Sequence, residues 1–291
     1  MKLCSLHPVA NVFGIEVDAI DMDRAMHSVR LLLSSPEKSY ICVAGVHGIM
    51  EAQRVPALAL AYAHADLIIP DGMPLVWIGH AQGHASMQRV TGPDFMLQIF
   101  RRPEFAHITH YLYGGEEGVA QQLRATLAAR FPGVRIVGAS TPPFHELSPE
   151  EEDRFVAEIR RLRPDIIWMG ISCPKQELFM ARYLPRIETR MMVGVGAAFD
   201  YHTGRIHDSA EWVKRAGLQW LHRLLQDPRR LWKRYLRNNP AFIFRITCQM
   251  LSLDRASAGN DSQAVIPPQS ARGSDSAVSQ RISRKTPQTI G

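Results

Sequence analysis

A carboxylate in the stretch ADLIIPDGMPLVW, residues 65–77, is the first candidate for chemistry. Asp71 follows a short apolar run that ends at Pro70, so it lies where a buried strand would end. As a helix N-cap it would accept a hydrogen bond from the second or third helical residue, but the third is Pro74, which has no N–H. A plain Asp-Gly turn is a further alternative. The residue types therefore leave two kinds of role open for Asp71, a turn or cap residue and a general base.

Small and charged residues follow three further apolar runs, again where strands would end. Gly114-Gly115 follows YLY, the stretch SCPKQE follows IIWMGI, and residues 196–200 follow MMVGV. The carboxyl ends of parallel strands form the ligand-binding edge of an open α/β sheet, so we predict that these residues converge with Asp71 on one edge. The binding candidates are Gly114, Gly115, Gly170, Lys175, Glu177, Gly194, Gly196 and Asp200.

These stretches differ in the ligand chemistry that they favour. Gly114-Gly115 precedes a helix whose free N–H groups suit phosphate, but Glu116 and Glu117 suit a ribose or the helix dipole better. Lys175 begins another helix, where a cation is unfavourable unless it meets an anionic ligand. The stretch GVGAAFD lacks the third glycine of a dinucleotide fingerprint, which counts against NAD.

Two other polar motifs have structural explanations. Asp21 and Asp23 have the DxD spacing that many sugar transferases use to hold a metal ion, but they open a helix, where capping and the dipole account for them. We therefore expect no metal site. His47, in GVHG, is either a catalytic base or a packed loop histidine, and the residue types favour the loop.

The positive charge of the chain is concentrated in a basic segment from Arg205 to Arg237. This basic segment holds nine lysines and arginines against three acids, an excess equal to the net charge of +6 for the whole chain. Trp212, Trp220 and Trp232 lie among the cations, which suits an anionic membrane surface. The alternative is a helix that packs on the main domain with a solvated basic face. The candidate membrane-binding residues are Arg223, Arg229, Arg230, Lys233 and Arg234.

The elements that must carry these residues alternate between short apolar runs and longer amphipathic stretches. The predicted buried strands are YICVAGV, ADLIIP, ITHYLYGG, VRIVGAS, DIIWMGIS and MMVGVGAAF, and helical patterns such as SPEEEDRFVAEIRRLR lie between most of them. This alternation predicts an α/β protein with a Rossmann-like, mostly parallel sheet and helices on both faces. NVFGIEVDAI and DMDRAMHSVRLLL predict one more strand and helix before it.

Composition predicts three regions. Residues 1–203 form the α/β domain, residues 204–253 a basic amphipathic appendage, and residues 254–291 a disordered tail rich in Ser, Gln, Pro and Gly. Four cysteines without CxxC spacing favour a reducing cytoplasm. No apolar run reaches the ~18 residues that span a bilayer.

Six motifs, in their order along the chain, resemble one bacterial family. They are ADLIIPDGMPLVW, RVTGPDFM, YLYGG, PDIIWMGISCPKQE, GVGAAFD and GLQWLHRLLQDPRRLWKRYLRNNPAF. Together they are similar to the WecG/TagA/CpsF glycosyltransferases, glycosyltransferase family 26, over residues 12–245. The resemblance implies an inverting, metal-independent transfer of a sugar from a UDP-sugar to a polyprenyl-diphosphate-linked acceptor in the synthesis of bacterial surface polysaccharide. It also implies a peripheral enzyme on the inner face of the cytoplasmic membrane, without nucleic acid as a partner.

The resemblance implies roles for individual residues. Asp71, in the PDG motif, would be the base that takes the proton of the acceptor hydroxyl. Arg89, in RVTG, and Lys175 would offset diphosphate charge. Gln176, in PKQE, would orient a sugar hydroxyl. Thr91 and His47 are the loop candidates near the acceptor.

Two departures from the family pattern leave details open. The family commonly has Thr or Asn in the loop after the first core strand, where this chain has Ala44-Gly45. Many members carry RAP where this chain has Asp208-Ser209-Ala210, so an expected arginine is absent from that position and Arg205, Lys214 or Arg215 would have to replace it.

The sequence leaves the sugar open between N-acetylmannosamine, its uronic acid, glucose and glucuronic acid, and it leaves a homo-oligomer open. Two other function classes remain. A Rossmann-type, nicotinamide-dependent oxidoreductase has the fold class but lacks the full glycine fingerprint. A non-catalytic module that binds membrane or nucleic acid would account for the basic segment alone.

Overall fold

The computed structural model describes residues 7–143 and 145–261, with side chains described as far as Leu251. The strands are β1 (Val9–Val12), β2 (Ile15–Asp18), β3 (Ser39–Ala44), β4 (Leu67–Pro70), β5 (Thr109–Gly114), β6 (Arg135–Ser140), β7 (Ile166–Gly170) and β8 (Met191–Gly194). The helices are α1 (Met22–Ser34), α2 (Val46–Ala52), α3 (Pro56–Ala63), α4 (Met73–Ala81), α5 (Gly92–Arg101), α6 (Val119–Arg130), α7 (Pro149–Leu162), α8 (Lys175–Tyr183), α9 (Ala198–His202), α10 (Glu211–Arg215), α11 (Gln219–Gln226) and α12 (Pro228–Asp261).

Strands β3 to β8 form one six-stranded sheet in the order β4-β3-β8-β7-β5-β6. Every neighbouring pair is parallel. All four residues of β8 are buried, as are the first four of β7, because helices cover both faces of the sheet. The predicted α/β fold is confirmed, and all six carboxyl ends of these strands open on one edge of the sheet. We call this edge the site edge.

The helix between β6 and β7 shows how local sequence places an element. Ser148 is the N-cap of α7, and its hydroxyl accepts a hydrogen bond from the Glu151 N–H at 3.3 Å. The Glu151 carboxylate in turn accepts one from the Ser148 N–H at 2.8 Å, which completes a capping box. The predicted helix start is therefore found in the structure.

The single strand predicted near the N-terminus is in fact a hairpin. Strands β1 and β2 pair antiparallel, with Val12 opposite Ile15, so that only two residues form the turn. Phe13 and Gly14 both have positive φ, 54° and 85°. This is the backbone of the two-residue turns that match strand twist. The sequence-based prediction was wrong because the Phe-Gly turn lies directly between the apolar residues Val12 and Ile15, without the Asn-Gly or Asp-Gly pair that usually marks such a turn.

The chain groups into two units, Met1–Gln249 and Met250–Gly291. The first holds the sheet, its helices, and the basic segment in α10, α11 and the start of α12. Of the second, the structure describes only residues 250–261, which continue α12. The predicted tail begins within that helix at residue 254, and its part from residue 262 onward lies outside the described residues.

Candidate active site

Backbone hydrogen bonds tie three loops together around Asp71. The Asp71 N–H donates to the carbonyl of Ala44, at the end of β3, at 2.8 Å. The Val90 N–H donates to the carbonyl of Pro70, at the end of β4, at 2.9 Å. A Cβ added at Gly45 would lie 3.1 Å from the Asp71 carbonyl oxygen, so the β3–α2 loop also runs against this residue. The backbone of Asp71 is thus held by neighbours on both sides.

The carboxylate of Asp71 does not cap the helix that follows it. Helix α4 begins at Met73, its N-cap is Gly72 with φ 146°, and no described side chain caps it. The glycine is needed here because an L-residue rarely adopts that angle. The cap alternative from the sequence was therefore wrong.

The environment of Asp71 suits proton transfer near neutral pH. Desolvation raises the pKa of Asp71 to about 6, although part of its surface is accessible. The positive charges of Arg89, Arg223 and Arg234 act against that rise, whereas the negative charge of Asp94 adds to it. A carboxylate with a pKa just below the working pH is ionised and still basic. Such values are typical of catalytic carboxylates, and also of some structural ones.

Arg89 connects the loop before α5 to the basic segment. Its Nη1 donates to the Gln219 side-chain oxygen at 2.6 Å, at the first residue of α11. Thr91, two residues on, is the N-cap of α5: its Oγ1 accepts from the Asp94 N–H at 3.2 Å and donates to the Asp94 carboxylate at 2.7 Å. Thr91 is also buried. The structure therefore gives Thr91 a capping role, while Arg89 lies among the charges around Asp71.

Gln176 is buried, and both ends of its amide are used within the protein. Its oxygen accepts from the Gly196 N–H at 3.0 Å, and its nitrogen donates to the Glu177 carboxylate at 2.9 Å. This differs from the expected contact with a sugar hydroxyl. Glu177 is also buried, and its Oε2 has no hydrogen-bond partner among the described residues. Desolvation raises the pKa of Glu177, while the hydrogen bond from Gln176 acts to lower it.

The glycines on the site edge divide into two groups. A Cβ at Gly114 would come within 2.5 Å of the Gly170 backbone, one at Gly170 would meet the Phe199 ring at 2.9 Å, and one at Gly194 would meet the Gln176 side chain at 2.9 Å. These three are explained by close packing between neighbouring elements. Gly196 differs, because it has φ 56° and a Cβ there would meet no described atom within 4 Å.

A second set of charged side chains, apart from the one around Asp71, lies at the centre of the site edge and connects two loops. Arg205 forms ion pairs with Glu116, in the loop after β5, and with Asp200, in α9, the latter at 3.6 Å. Desolvation raises the pKa of Asp200, and the charge of Arg205 opposes that rise. Gly115, with φ 74°, lies in the same loop as Glu116. Lys175 is exposed at the first residue of α8.

His47 is engaged with the long C-terminal helix. Its Nδ1 is 2.9 Å from the side-chain nitrogen of Asn238, in α12. Burial, followed by the charge of Arg234, lowers the pKa of His47 to about 4. The imidazole is therefore neutral at physiological pH. This agrees with the packed-histidine interpretation, and it keeps His47 beside the loops that hold Asp71.

The five expected membrane-binding residues face different environments. Arg229, Arg230 and Lys233 are exposed, and Arg230 pairs with Asp227 at 2.6 Å. The other two are partly buried and direct their charge toward Asp71. We therefore group Arg223 and Arg234 with the candidate site, whereas the sequence-based prediction assigned them to the membrane.

Arg223 and Arg234 differ in what surrounds their guanidinium groups. The Arg223 guanidinium lies 5.2 Å from the centre of the Tyr201 ring. Arg234 Nε is buried without a hydrogen-bond partner among the described residues, and desolvation lowers the pKa of Arg234. Both therefore keep charge at the site edge where an anion could use it.

Asp21 and Asp23 have structural partners. The Asp21 side chain accepts from the Arg24 N–H at 2.9 Å as the N-cap of α1, and Asp23 forms an ion pair with Arg102. Across the described residues, no three His, Cys, Asp or Glu side chains are grouped so that they could hold a metal ion. None of the described helices is both long enough and apolar enough to cross a membrane.

The fold and this edge define a class: an open α/β protein whose candidate ligand site combines a desolvated carboxylate with arginines from a C-terminal helical segment. A model of the glycosyl transferase WecG/TagA/CpsF family matches residues 10–256, so the chain belongs to that family and is a glycosyltransferase. Membership of this family excludes the two alternative functions, a nicotinamide-dependent oxidoreductase and a non-catalytic binding module.

Two curated relatives carry the same name, N-acetylglucosaminyldiphosphoundecaprenol N-acetyl-beta-D-mannosaminyltransferase. The protein from Bacillus spizizenii strain W23 is 26% identical over 233 residues, which is 80% of this chain and 86% of the relative. The protein from Staphylococcus aureus strain MW2 is 23% identical over 243 residues, which is 81% of this chain and 91% of the relative.

Sequence reasoning missed two residues that the structure brings to the site edge or its support, Gln219 and Asn238, and it assigned Arg223 and Arg234 to the membrane. One signal was available for Asn238. It lies seven residues after Leu231 and four before Phe242, both apolar, so it occupies a buried position at helical spacing. No comparable signal marks Gln219, because its partner Arg89 is 130 residues away.

Proposed function

We propose that the protein transfers a sugar from a UDP-sugar to a polyprenyl-diphosphate-linked acceptor, with inversion at the anomeric carbon and without a metal ion. The observation that carries this proposal is the surroundings of Asp71, a desolvated carboxylate near three arginines on the site edge of a family glycosyltransferase. The names of the relatives support the type of transferred sugar and the type of acceptor.

In the proposed reaction, Asp71 acts as the general base. The acceptor hydroxyl attacks the anomeric carbon from the face opposite the diphosphate, and its proton passes to the Asp71 carboxylate. A new carbon–oxygen bond forms as the bond from the anomeric carbon to the UDP oxygen breaks. The electron pair of that bond leaves with UDP, so the configuration is inverted and no covalent enzyme intermediate is needed.

Arginine charge would stabilise the leaving diphosphate. Arg89 and Arg223 come from different elements, and both act on the charge of Asp71. Guanidinium groups suit diphosphate oxygens because they can donate two parallel hydrogen bonds. Charge already held in place lowers the barrier, since it costs no reorganisation as the negative charge develops. Arg234 lies deeper and would complete the group.

The donor nucleotide would lie along the middle of the site edge. Gly196 offers an open approach to the backbone. The carboxylates of Glu116 and Asp200 could accept hydrogen bonds from ribose hydroxyls. Arg205 joins these two acidic side chains, so it is the residue of the basic segment that would order this half of the site. This arrangement supports a nucleotide donor and does not select its sugar.

Localisation forms part of the proposal. A lipid-linked acceptor keeps its diphosphate at the headgroup level, so a peripheral enzyme on the inner face of the cytoplasmic membrane would meet it there. Arg229, Lys233 and Trp232 are exposed together at the start of α12, where cations and an indole suit an anionic interface. Among the side chains that the structure describes, the other large apolar ones exposed in α10, α11 and α12 are Trp212, Trp220, Leu221, Leu225, Leu236, Ile243, Phe244 and Leu251.

The experiment that tests the function is release of UDP across a panel of donors with a short-chain polyprenyl-diphosphate N-acetylglucosamine acceptor. The panel contains UDP-linked N-acetylmannosamine, its uronic acid, glucose and glucuronic acid. Release that requires the acceptor supports the proposal, and NMR of the new linkage reports inversion or retention. Absence of acceptor-dependent release with every donor would contradict the proposed substrates.

A further inference from the structure

The long helix α12 carries a polar side chain in the middle of its buried face. Leu231, Asn238 and Phe242 are buried, at 3%, 2% and 5% exposure, and Arg234 is partly buried. Their spacing places them on one side of the helix. An amide in such a stripe costs desolvation unless it is fully hydrogen-bonded, so its partners explain why it is there.

Both ends of the Asn238 amide are hydrogen-bonded. One partner, His47, lies in α2, and the other, Arg54, lies in the turn that follows α2. The oxygen accepts from Arg54 Nη1 at 2.8 Å, and the nitrogen is 2.9 Å from His47 Nδ1. Arg54 also forms an ion pair with Glu51 at 2.8 Å. Because a guanidinium can only donate, the amide oxygen must face Arg54 and the NH₂ must face His47. His47 Nδ1 is then the acceptor, and its proton lies on Nε2.

We propose that Asn238 is a positioning residue whose hydrogen bonds to His47 and Arg54 set the register of α12, so that Arg234 faces Asp71. Arg234 lies one helical turn before Asn238, on the same side of α12. Fixing Asn238 against α2 therefore fixes where Arg234 can reach. The proposal rests on the proposed function in so far as Arg234 stabilises the leaving diphosphate.

Apolar contacts alone would leave this register poorly specified. Leu231 and Phe242 gain by burial whatever the exact rotation of the helix, because the hydrophobic effect has no direction. A buried polar pairing admits one alignment, as single buried polar residues do in helical coiled coils. A shift of one residue would take the buried amide of Asn238 away from both of its partners, which costs desolvation free energy.

The enzymatic test is a double-mutant cycle with Asn238→Ala and Arg234→Ala. Asn238→Ala should lower kcat by up to about 100-fold, the size of effect expected when a reacting geometry shifts by about 1 Å. If Asn238 acts by placing Arg234, adding Asn238→Ala to Arg234→Ala should lower kcat by only about twofold more. A full additional loss in the Arg234→Ala background would overturn the proposal.

Asn239 offers a matched control, because it is the same residue type one position further along and turned away from the buried stripe. Asn239→Ala should leave kcat within about twofold of the original enzyme. An equal loss in the two asparagine variants would show that α12 tolerates no alanine there, and it would also overturn the specific role of Asn238.

A second measurement does not depend on the substrates. Hydrogen exchange of residues 228–249 should speed up in Asn238→Ala and stay unchanged in Asn239→Ala. NMR of His47 should show the Nε2–H tautomer in the original protein, and the Nδ1 resonance should shift in Asn238→Ala because its hydrogen bond is lost. If exchange and the Nδ1 resonance are unchanged, the proposal fails whatever the activity. If both change while the original protein transfers no sugar, only the proposed function fails.

Asn238→Asp is a second variant, which should fold even if Asn238→Ala does not, because aspartate has nearly the same shape as asparagine. It keeps the acceptor for Arg54 and places a carboxylate oxygen against His47 Nδ1, so the pair forms whenever Nδ1 carries a proton, in the Nδ1–H tautomer or in the protonated ring. The groups that face His47 are Arg234, Glu51, Arg54 and the backbone of Cys173. We expect a higher pKa for His47 in Asn238→Asp, because the new carboxylate stabilises the protonated ring. A His47 pKa equal to that of the original protein would contradict the contact on which the proposal rests.

Discussion

The side-chain oxygen of Gln176 accepts a hydrogen bond from the Gly196 N–H at 3.0 Å, which ties the start of α8 to the loop after β8. Gly196 has positive φ and an open face, so this bond holds the backbone where a nucleotide would approach. Gln176 thereby supports the loop after β8 from a buried position.

Replacing Gln176 should therefore weaken donor binding more than it slows the chemical step. Gln176→Ala removes the acceptor for Gly196 and the donor to Glu177, so we expect the Kd for UDP to rise about tenfold. The change in kcat at saturating donor should be smaller. Calorimetry with UDP and initial rates check the two quantities. A large loss of kcat with unchanged UDP affinity would instead indicate direct contact with the reacting sugar.

Loss of the carboxylate at Asp71 should abolish general base catalysis. Asp71→Asn keeps the shape and the backbone hydrogen bond, so turnover should fall roughly 10²–10⁴-fold while UDP binding changes little. Turnover close to that of the original enzyme would rule out Asp71 as the base.

The pH profile offers a separate check on Asp71. Its pKa is raised to about 6, so the basic form is lost as the pH falls through that value. We expect kcat/KM to be constant above about pH 7 and to decline tenfold per pH unit well below 6. Asp71→Asn should lose this step. A decline of the same shape in the variant would assign the pH dependence to another group.

The stability of the protein should depend on pH through Glu177. Burial raises its pKa above the value in the unfolded chain, so the folded state favours the protonated carboxyl. The contribution of Glu177 to the free energy of unfolding is fully present below about pH 4.5. It is lost as the pH rises through the pKa that Glu177 has in the folded state. Glu177→Gln should remove this part of the pH dependence. Urea unfolding at pH 5 and pH 8 measures it, and equal pH dependence in both proteins would contradict the assignment.

Activity should survive removal of metal ions. Asp21 and Asp23 are used as a helix cap and an ion pair, and arginines are available to offset the diphosphate charge. UDP release should therefore be unchanged in EDTA. Loss of activity in EDTA, restored by Mg²⁺ or Mn²⁺, would show that the ion takes part and that the arginines do not suffice.

Membrane binding and catalysis should depend on different residues among the five cations that the sequence assigned to the membrane. Arg229→Glu with Lys233→Glu should reduce pelleting with anionic vesicles, since each cation near such a surface contributes about 1 kcal/mol before screening. Activity on a water-soluble acceptor should be retained. Arg223→Ala should do the reverse, lowering activity on both acceptors while leaving pelleting unchanged. Equal pelleting of the double variant and the original protein at low salt would place the membrane contact elsewhere.

Much of the fold was determined by the sequence alone, because its causes are local. The six apolar runs are short and lie between amphipathic stretches, and each became a strand of the parallel sheet. Ser148 and Glu151 satisfy each other's backbone N–H groups within one turn, so the start of α7 needs no distant partner. The position of Asp71 at the end of a strand could be predicted for the same reason, since a carboxylate after a buried strand is visible in a short stretch of chain.

The tertiary structure decided which way the polar side chains face. Gln176 and Asn238 belong to residue types that are usually exposed. Their burial depends on partners that are 20 and 191 residues away. Arg234 and Lys233 are adjacent and both cationic, yet Arg234 is partly buried with its charge acting on Asp71, whereas Lys233 is exposed to solvent. That choice depends on the rotation of α12 against α2, a contact between segments far apart in sequence, which local pattern does not encode.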